Sequence, residues 1–198
     1  MREFTPSNLL QADFPVVNNS LQSGLVIGNR IPKDYFITSG TGESDIAVHA
    51  GSYHLALKKA GIEMANIMTY SSILPQIANK TSRPEKITHG AVMETIMAVA
   101  NGTKGEQVSA GIIYGWLHNR NTGEKYGGLV CEHNGSFSET ELKNKLEASL
   151  NELYINGFEE DYSLSDIELI TQSFVPQKTY GSALVALCFT SYVVPVLS

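Results

Sequence analysis

The chain has 198 residues with a formal net charge of −6, and 42% of the residues are hydrophobic against 17% charged. This length fits one domain with an arm, and the apolar content can supply a core without disulfides or a structural metal. There is no run of lysines and arginines, so nothing predicts a nucleic-acid surface. No apolar stretch approaches the ~20 residues that span a bilayer. We therefore expect a cytoplasmic protein that binds neither nucleic acid nor membrane.

Residues 1–33 have the pattern of an irregular arm. Pro6, Pro15 and Pro32 interrupt the segment, and short apolar pieces lie between them. Such pieces favour an arm that packs on a sheet edge or on a neighbouring subunit rather than a disordered tail. We expect residues 34–198 to form a single domain.

The first regular elements are a strand and a helix. Tyr35–Thr38 has the composition of a short strand, and the glycine-rich segment 39–45 after it predicts a tight turn. The spacing of its glycines excludes a phosphate-binding loop. Asp45 in this turn is either a ligand contact or an ordinary turn or N-cap aspartate. Residues 47–60 have helical spacing, and Gly61 is placed to end the helix.

The middle of the chain is rich in β-branched and aromatic residues. Residues 62–73 predict one buried strand that ends at Ser71 and Ser72 and is stopped by Pro75. Residues 87–100 are compatible with either a helix or a strand. Residues 107–118 and 125–133 alternate around a glycine-containing turn, which predicts a β-hairpin.

The clearest helix follows this hairpin. Ser138 and Glu141 have the spacing of a capping box, and leucines recur on one stripe up to Gly157. Two β-rich segments, 165–175 and 183–194, complete the chain. The order of elements predicts an α+β fold with mostly antiparallel strands.

Common catalytic and metal motifs are absent from the sequence. It contains no Gly-x-Ser-x-Gly and no His-Glu-x-x-His, and Cys131 and Cys188 lack partners at zinc-ligand spacing, so we expect no metal site. Glu132 stands at the end of an apolar strand. Burial would raise the pKa of its carboxyl and let it act as an acid near neutral pH, whereas a solvent-facing side chain would not. Periodicity alone leaves both interpretations open.

Several short motifs together resemble the pyruvoyl-dependent arginine decarboxylases. The resemblance extends from about Phe36 to the final strand, and the N-terminal arm lies outside it. The motifs are Gly42-Glu43-Ser44, Ala60-Gly61-Ile62, Asn66-Ile67, Tyr70-Ser71-Ser72-Ile73-Leu74-Pro75, His89-Gly90-Ala91 and the strand that ends at Glu132.

This resemblance implies a four-layer αββα sandwich and a proenzyme that cleaves itself. Cleavage between Ser71 and Ser72 would give a β chain of residues 1–71 and an α chain of residues 72–198. Ser72 would become a covalent pyruvoyl group, so that neither pyridoxal phosphate nor a metal is needed. The family also implies a homotrimer of αβ units, or a multiple of it, with sites between subunits.

The resemblance also assigns roles to individual residues. Asn66 matches a residue that assists processing by holding the oxyanion, and Glu132 matches the proton donor. The default substrate is the small amino acid L-arginine, which would give agmatine and CO₂.

One position departs from the family pattern. His54 stands where an aspartate grips the substrate guanidinium, and a histidine cannot accept that bidentate contact. Either Asp45 or Glu43 supplies the contact, or the substrate is another amino acid. The alternative from a different class is an uncleaved, non-catalytic relative that acts as a binding or assembly subunit.

Overall fold

A computed structural model describes residues 27–196, which divide into two compact units. The larger unit is Arg30–Val193 and contains both helices and all three sheets. The smaller unit includes residues 27–29 and 194–196, where Ile27 and Val196 form an antiparallel bridge.

The larger unit contains eleven strands and two α-helices. A π-helical turn, Val48–Tyr53, leads directly into helix α1. The helices are α1 (His54–Ala60) and α2 (Glu139–Gly157). The strands are β1 (Ile31–Pro32), β2 (Asp34–Ser44), β3 (Asn66–Thr69), β4 (Ile73–Pro75), β5 (Asn79–Lys80), β6 (Val92–Thr103), β7 (Val108–Asn119), β8 (Lys125–Gly135), β9 (Tyr162–Phe174), β10 (Tyr180–Phe189) and β11 (Tyr192–Val193).

The strands form a five-stranded sheet in the order β3-β6-β10-β2-β5, a four-stranded sheet in the order β4-β8-β7-β9, and the ribbon β1-β11. All pairings are antiparallel except β3 with β6 and β2 with β5. The α+β prediction is therefore confirmed, as is the hairpin, which is β7 and β8.

Three hydrophobic clusters show how these elements pack. The largest lies between the two main sheets and includes Tyr35, Ile112 and Leu187. A second packs α1 against the five-stranded sheet, and a third packs α2 against the four-stranded sheet. These contacts support the finer expectation of an αββα sandwich.

The helix predicted from the capping box is present as α2. The Ser138 hydroxyl accepts a hydrogen bond from the Glu141 backbone N–H at 3.3 Å, and the Glu141 carboxylate accepts one from the Ser138 N–H at 2.9 Å. Its leucine stripe is buried against the sheet. Residues 87–100, which the sequence left open between helix and strand, contribute most of β6.

The predicted glycine-rich turn at 39–45 is wrong. Strand β2 continues through it to Ser44 because its glycines face the helix and let the backbones come close. A Cβ added to Gly40 would lie 2.1 Å from the Ala56 carbonyl oxygen, and one added to Gly42 would lie 2.2 Å from that of Ser52. Here glycine marks a close approach of two backbones rather than a turn.

The single buried strand predicted for residues 62–73 is also wrong. The chain turns after Ile62, and its exposed residues then form β3, which pairs with β6 of the five-stranded sheet. After Ser72 it continues as β4, which pairs with β8 of the four-stranded sheet. The apolar run therefore contains a change of sheet, which local sequence does not specify.

Most of the predicted arm, residues 1–26, lies outside the described residues. Its end, Ile31–Pro32, forms β1 and pairs with β11. Neither helix within residues 27–196 has the length and apolarity that a membrane span requires.

Replacing Gly40 with alanine tests the close contact between β2 and α1. The added methyl group meets backbone atoms that cannot move aside, so we expect Gly40→Ala to lower the free energy of unfolding by about 1–3 kcal/mol or more. Gly157→Ala is the control, because its Cβ would meet nothing within 4 Å. Urea denaturation measures both variants, and equal stabilities would contradict the contact.

Candidate active site

The site is built on three residues that cross from one sheet to the other. The Tyr70 backbone N–H donates to the Thr95 carbonyl oxygen of the five-stranded sheet at 2.7 Å. The Ser72 carbonyl oxygen accepts from the Val130 N–H of the four-stranded sheet at 3.0 Å. Segment 70–72 is thus fixed at both ends, and the peptide bond between Ser71 and Ser72 belongs to neither sheet.

A three-residue turn begins at the carbonyl group of Ser71. The Ile73 N–H donates to the Ser71 carbonyl oxygen at 3.0 Å, which closes a γ-turn around Ser72. This hydrogen bond polarises the carbonyl and supplies a donor for negative charge that develops on its oxygen. Ser71 is exposed and Ser72 is half-buried.

Glu132 lies against the Ser72 hydroxyl. In β8 the side chain of Val130 faces the layer between the sheets, and strand alternation places Glu132 on the same face. The Ser72 hydroxyl donates a hydrogen bond to the Glu132 carboxylate, and its Oγ lies 3.2 Å from Oε2 and 3.4 Å from Oε1. The ionised carboxylate can accept the hydroxyl proton, and the protonated carboxyl can return a proton to a reacting atom.

Burial gives this carboxyl the character of an acid. Desolvation raises the pKa of Glu132 above its ordinary value, while the hydrogen bond from Ser72 and the charge of His133 partly oppose the rise. A group of this kind holds a proton more readily at neutral pH than an exposed glutamate does.

Asn66 does not contact Ser71 among the described residues. Asn66 stands at the start of β3, opposite Val92. The other end of β3, Thr69, pairs with Thr95 next to segment 70–72. Its side-chain amide donates to the Gly90 carbonyl oxygen at 3.0 Å. The assistance of Asn66 in processing therefore stays a prediction from the resemblance.

Glu43 and Asp45 hold the turn between β9 and β10. Glu43 accepts hydrogen bonds from the backbone N–H groups of Gln177 and Lys178 at 2.7 and 3.2 Å. Asp45 accepts from the N–H and hydroxyl of Thr179 at 3.0 and 3.2 Å. The Thr179 N–H lowers the pKa of the exposed Asp45 carboxyl.

This turn lies at the far end of the sheet from Ser72. Across the five-stranded sheet, Phe36 aligns with Cys188 and with Thr95, the residue that binds Tyr70. Glu43 is seven positions further along β2, a distance of about 23 Å at the usual rise per residue.

His54 is also separated from Ser72 within one chain. It is the exposed first residue of α1, and α1 packs on the outer face of the five-stranded sheet. Ser72 and Glu132 are thus brought together, whereas His54, Asp45 and Glu43 are not brought to them.

The sequence reasoning missed one carboxylate near this site, Glu94 of β6. Only 2% of its side chain is exposed, and it forms an ion pair with Arg30. The signal for Glu94 in the sequence is an acid inside an apolar run, but residues 87–100 fit either a helix or a strand, so the sequence does not show which face Glu94 occupies.

Comparison with known families agrees with this geometry. The profile of a family described as pyruvoyl-dependent arginine decarboxylase matches residues 34–194. The chain belongs to this family. A relative with the same name from Chlamydia pneumoniae is 30% identical over 192 residues, covering 85% of this chain and 95% of its own length. Relatives from Chlamydia trachomatis serovar L2 (30% identical, covering 83% and 94%) and Thermoplasma volcanium (28%, covering 71% and 83%) carry the same family name.

Membership makes the protein a carboxy-lyase with a covalent pyruvoyl group. The residues around Ser72 fit such a group. Its carbonyl oxygen is anchored by Val130, its hydroxyl by Glu132, and the peptide bond before it is bent out of both sheets.

The raised pKa of Glu132 predicts a pH-dependent stability, best measured in the Ser72→Ala background, where the opposing hydrogen bond is absent. The pKa of Glu132 is higher in the folded state than in the unfolded state, so ionising Glu132 lowers the stability of the fold. This loss is fully present at pH values above the folded-state pKa, and it disappears as the pH falls to the unfolded-state pKa of about 4.3. We expect Ser72→Ala/Glu132→Gln to exceed Ser72→Ala in unfolding free energy at pH 8, with no advantage near pH 4. Urea denaturation against pH measures this, and a gap that widens on acidification would contradict the assignment.

Proposed function

We propose that this chain is a proenzyme that cleaves itself between Ser71 and Ser72 and then decarboxylates L-arginine to agmatine and CO₂. The observation that carries the proposal is the Ser72 hydroxyl bound to a desolvated Glu132, in a bend whose Ser71 carbonyl is polarised by Ile73. The products of cleavage are a β chain of residues 1–71 and an α chain of residues 72–198.

Cleavage begins with attack of the Ser72 Oγ on the Ser71 carbonyl carbon. Glu132 accepts the hydroxyl proton, and the Ile73 N–H stabilises the charge on the Ser71 oxygen. The amide bond breaks as the ester forms, and the proton passes to the departing Ser72 nitrogen, which becomes a free amine. Elimination then removes the Ser72 α-proton, releases Ser71 as a carboxylate and leaves dehydroalanine. Hydrolysis of its imine tautomer releases ammonia and gives the pyruvoyl group.

In decarboxylation the pyruvoyl group supplies the electron sink for the charge left when CO₂ departs. The Val130 N–H holds the carbonyl oxygen of residue 72, so this amide stays oriented beside the reacting ketone. Glu132 delivers a proton to the former α-carbon, a role that its raised pKa favours.

The choice of substrate is supported by the names of the relatives, and the proposed assembly is supported by distances within one chain. Arginine is named for the relatives, and the same chemistry on another amino acid is the alternative because His54 stands where the family has the aspartate that grips the guanidinium. We further propose a homotrimer of αβ units, or a multiple of it. Because His54, Asp45 and Glu43 lie far from Ser72 in one chain, they can contact substrate only from a neighbouring subunit.

The cleavage step is tested by a denaturing gel with mass measurement of each fragment. We expect wild-type protein to give two fragments, and Ser72→Ala to stay a single chain because its nucleophile is gone. Ser71→Ala should still give two fragments, since only the backbone carbonyl of residue 71 reacts. Intact wild-type protein without a carbonyl-reactive fragment would favour the uncleaved, non-catalytic relative.

The proton-donor role is tested with Glu132→Gln. The amide still accepts the Ser72 hydrogen bond but cannot exchange a proton, so we expect slower cleavage that nevertheless reaches completion. On fully cleaved protein, CO₂ release should fall by about 10²–10⁴-fold. CO₂ release by Glu132→Gln at the wild-type rate would show that Glu132 is not the proton donor. CO₂ release by wild-type protein from another amino acid but not from arginine would show that arginine is not the substrate.

A further inference from the structure

Glu94 is the one buried charged side chain among residues 27–196. Both of its carboxylate oxygens are shielded from solvent, and no other described residue donates a hydrogen bond to them. Its ion-pair partner is the Arg30 guanidinium, whose side chain is 54% exposed. The charge on Glu94 is therefore balanced by one cation that reaches it from the surface.

Glu94 lies beside segment 70–72, which crosses between the sheets. The next residue, Thr95, accepts the backbone hydrogen bond from Tyr70, and Glu94 shares the inter-sheet face of β6 with Ile96. Glu132 faces the same layer from the other sheet, so the two carboxylates stand on opposite walls of the layer that segment 70–72 crosses.

The chemistry of this position selects a guanidinium. A carboxylate accepts two parallel N–H groups from a planar guanidinium, which an ammonium ion cannot offer. The Arg30 guanidinium also lies over the Tyr192 ring, 5.5 Å from its centroid. The position thus combines a buried carboxylate with an aromatic surface, and it already contains the functional group that distinguishes arginine.

We infer that Glu94 receives the guanidinium of the substrate and that the Arg30 side chain is its resident occupant, displaced when arginine binds. This inference rests on the proposed function and concerns the substrate selectivity of the same site. Exchanging one guanidinium for another keeps the buried carboxylate paired, so the large penalty of leaving it alone is avoided. The resident occupant lowers the apparent affinity for arginine by the fraction of time it fills the site.

The selectivity test uses L-arginine and L-citrulline, which have the same shape but differ in charge at the guanidinium position. In Glu94→Gln we expect the ratio of kcat/KM for arginine over citrulline to fall at least tenfold, mainly through the KM for arginine. Glu168→Gln is the matched control, because Glu168 pairs with exposed Lys80 elsewhere and should keep the wild-type ratio. Equal losses on both substrates in Glu94→Gln would make Glu94 a structural residue and overturn the inference.

Arg30 gives a second, independent readout that does not require Glu94 to be changed. Removing the resident guanidinium in Arg30→Gln should lower the KM for arginine severalfold and leave that for citrulline less affected. An unchanged or raised KM for arginine would show that Arg30 does not compete with substrate.

Calorimetry with agmatine separates this inference from the proposed function. Agmatine carries the guanidinium without the α-carboxylate, and we expect Glu94→Gln to bind it at least tenfold more weakly than wild type. Cleaved wild-type protein that releases CO₂, with agmatine affinity unchanged by Glu94→Gln, would refute this inference alone. Uncleaved wild-type protein would refute the proposed function, and the agmatine titration would still decide whether Glu94 binds a guanidinium.

Discussion

Two backbone hydrogen bonds determine the candidate site, one from Tyr70 to Thr95 and one from Val130 to Ser72. Each belongs to a different sheet, so the peptide bond between Ser71 and Ser72 cannot join either ladder. An amide in a ladder is shielded by its neighbours and has no room for a nucleophile. In the bend, the Ile73 N–H is the one hydrogen-bond donor to the Ser71 carbonyl oxygen among residues 27–196, and the Ser72 hydroxyl is the neighbouring nucleophile. The fold thereby makes one peptide bond different from all those in the strands.

The sequence predicted the elements whose signals are local. The hairpin and the capped helix followed from alternation, turn residues and the Ser138–Glu141 pair, which act within a few residues. It did not predict that β2 continues through Gly40 or that residues 62–73 change sheets, because both depend on which distant element packs alongside. Ser72 and Glu132 were identified by resemblance. Their contact joins residues sixty positions apart, so only the folded register could show it.

The two carboxylates beside the bend have different partners, and this difference suits different tasks. Glu132 is half-buried against a hydroxyl, and desolvation raises its pKa, so it can take up and return a proton. Glu94 is almost fully buried against a guanidinium and is balanced by a full positive charge. One environment favours proton transfer and the other favours recognition of a cation. Neither task could be assigned from the residue type alone, because both are glutamates in apolar runs, Glu132 at the end of one and Glu94 inside another.

A single chain leaves this site open to water. Ser71 is exposed, and large apolar side chains around the bend are exposed as well, with Ile73 at 58%, Met68 at 51% and Val92 at 59%. Loss of CO₂ leaves charge that water would quench from any direction, so controlled protonation by Glu132 requires that solvent be excluded. Exposed apolar surface of this kind is typical of a face that another protein surface covers. The chemistry and the surface thus impose the same requirement, because the covering that would protect the reaction would also bury these side chains, which supports the proposed assembly of αβ units.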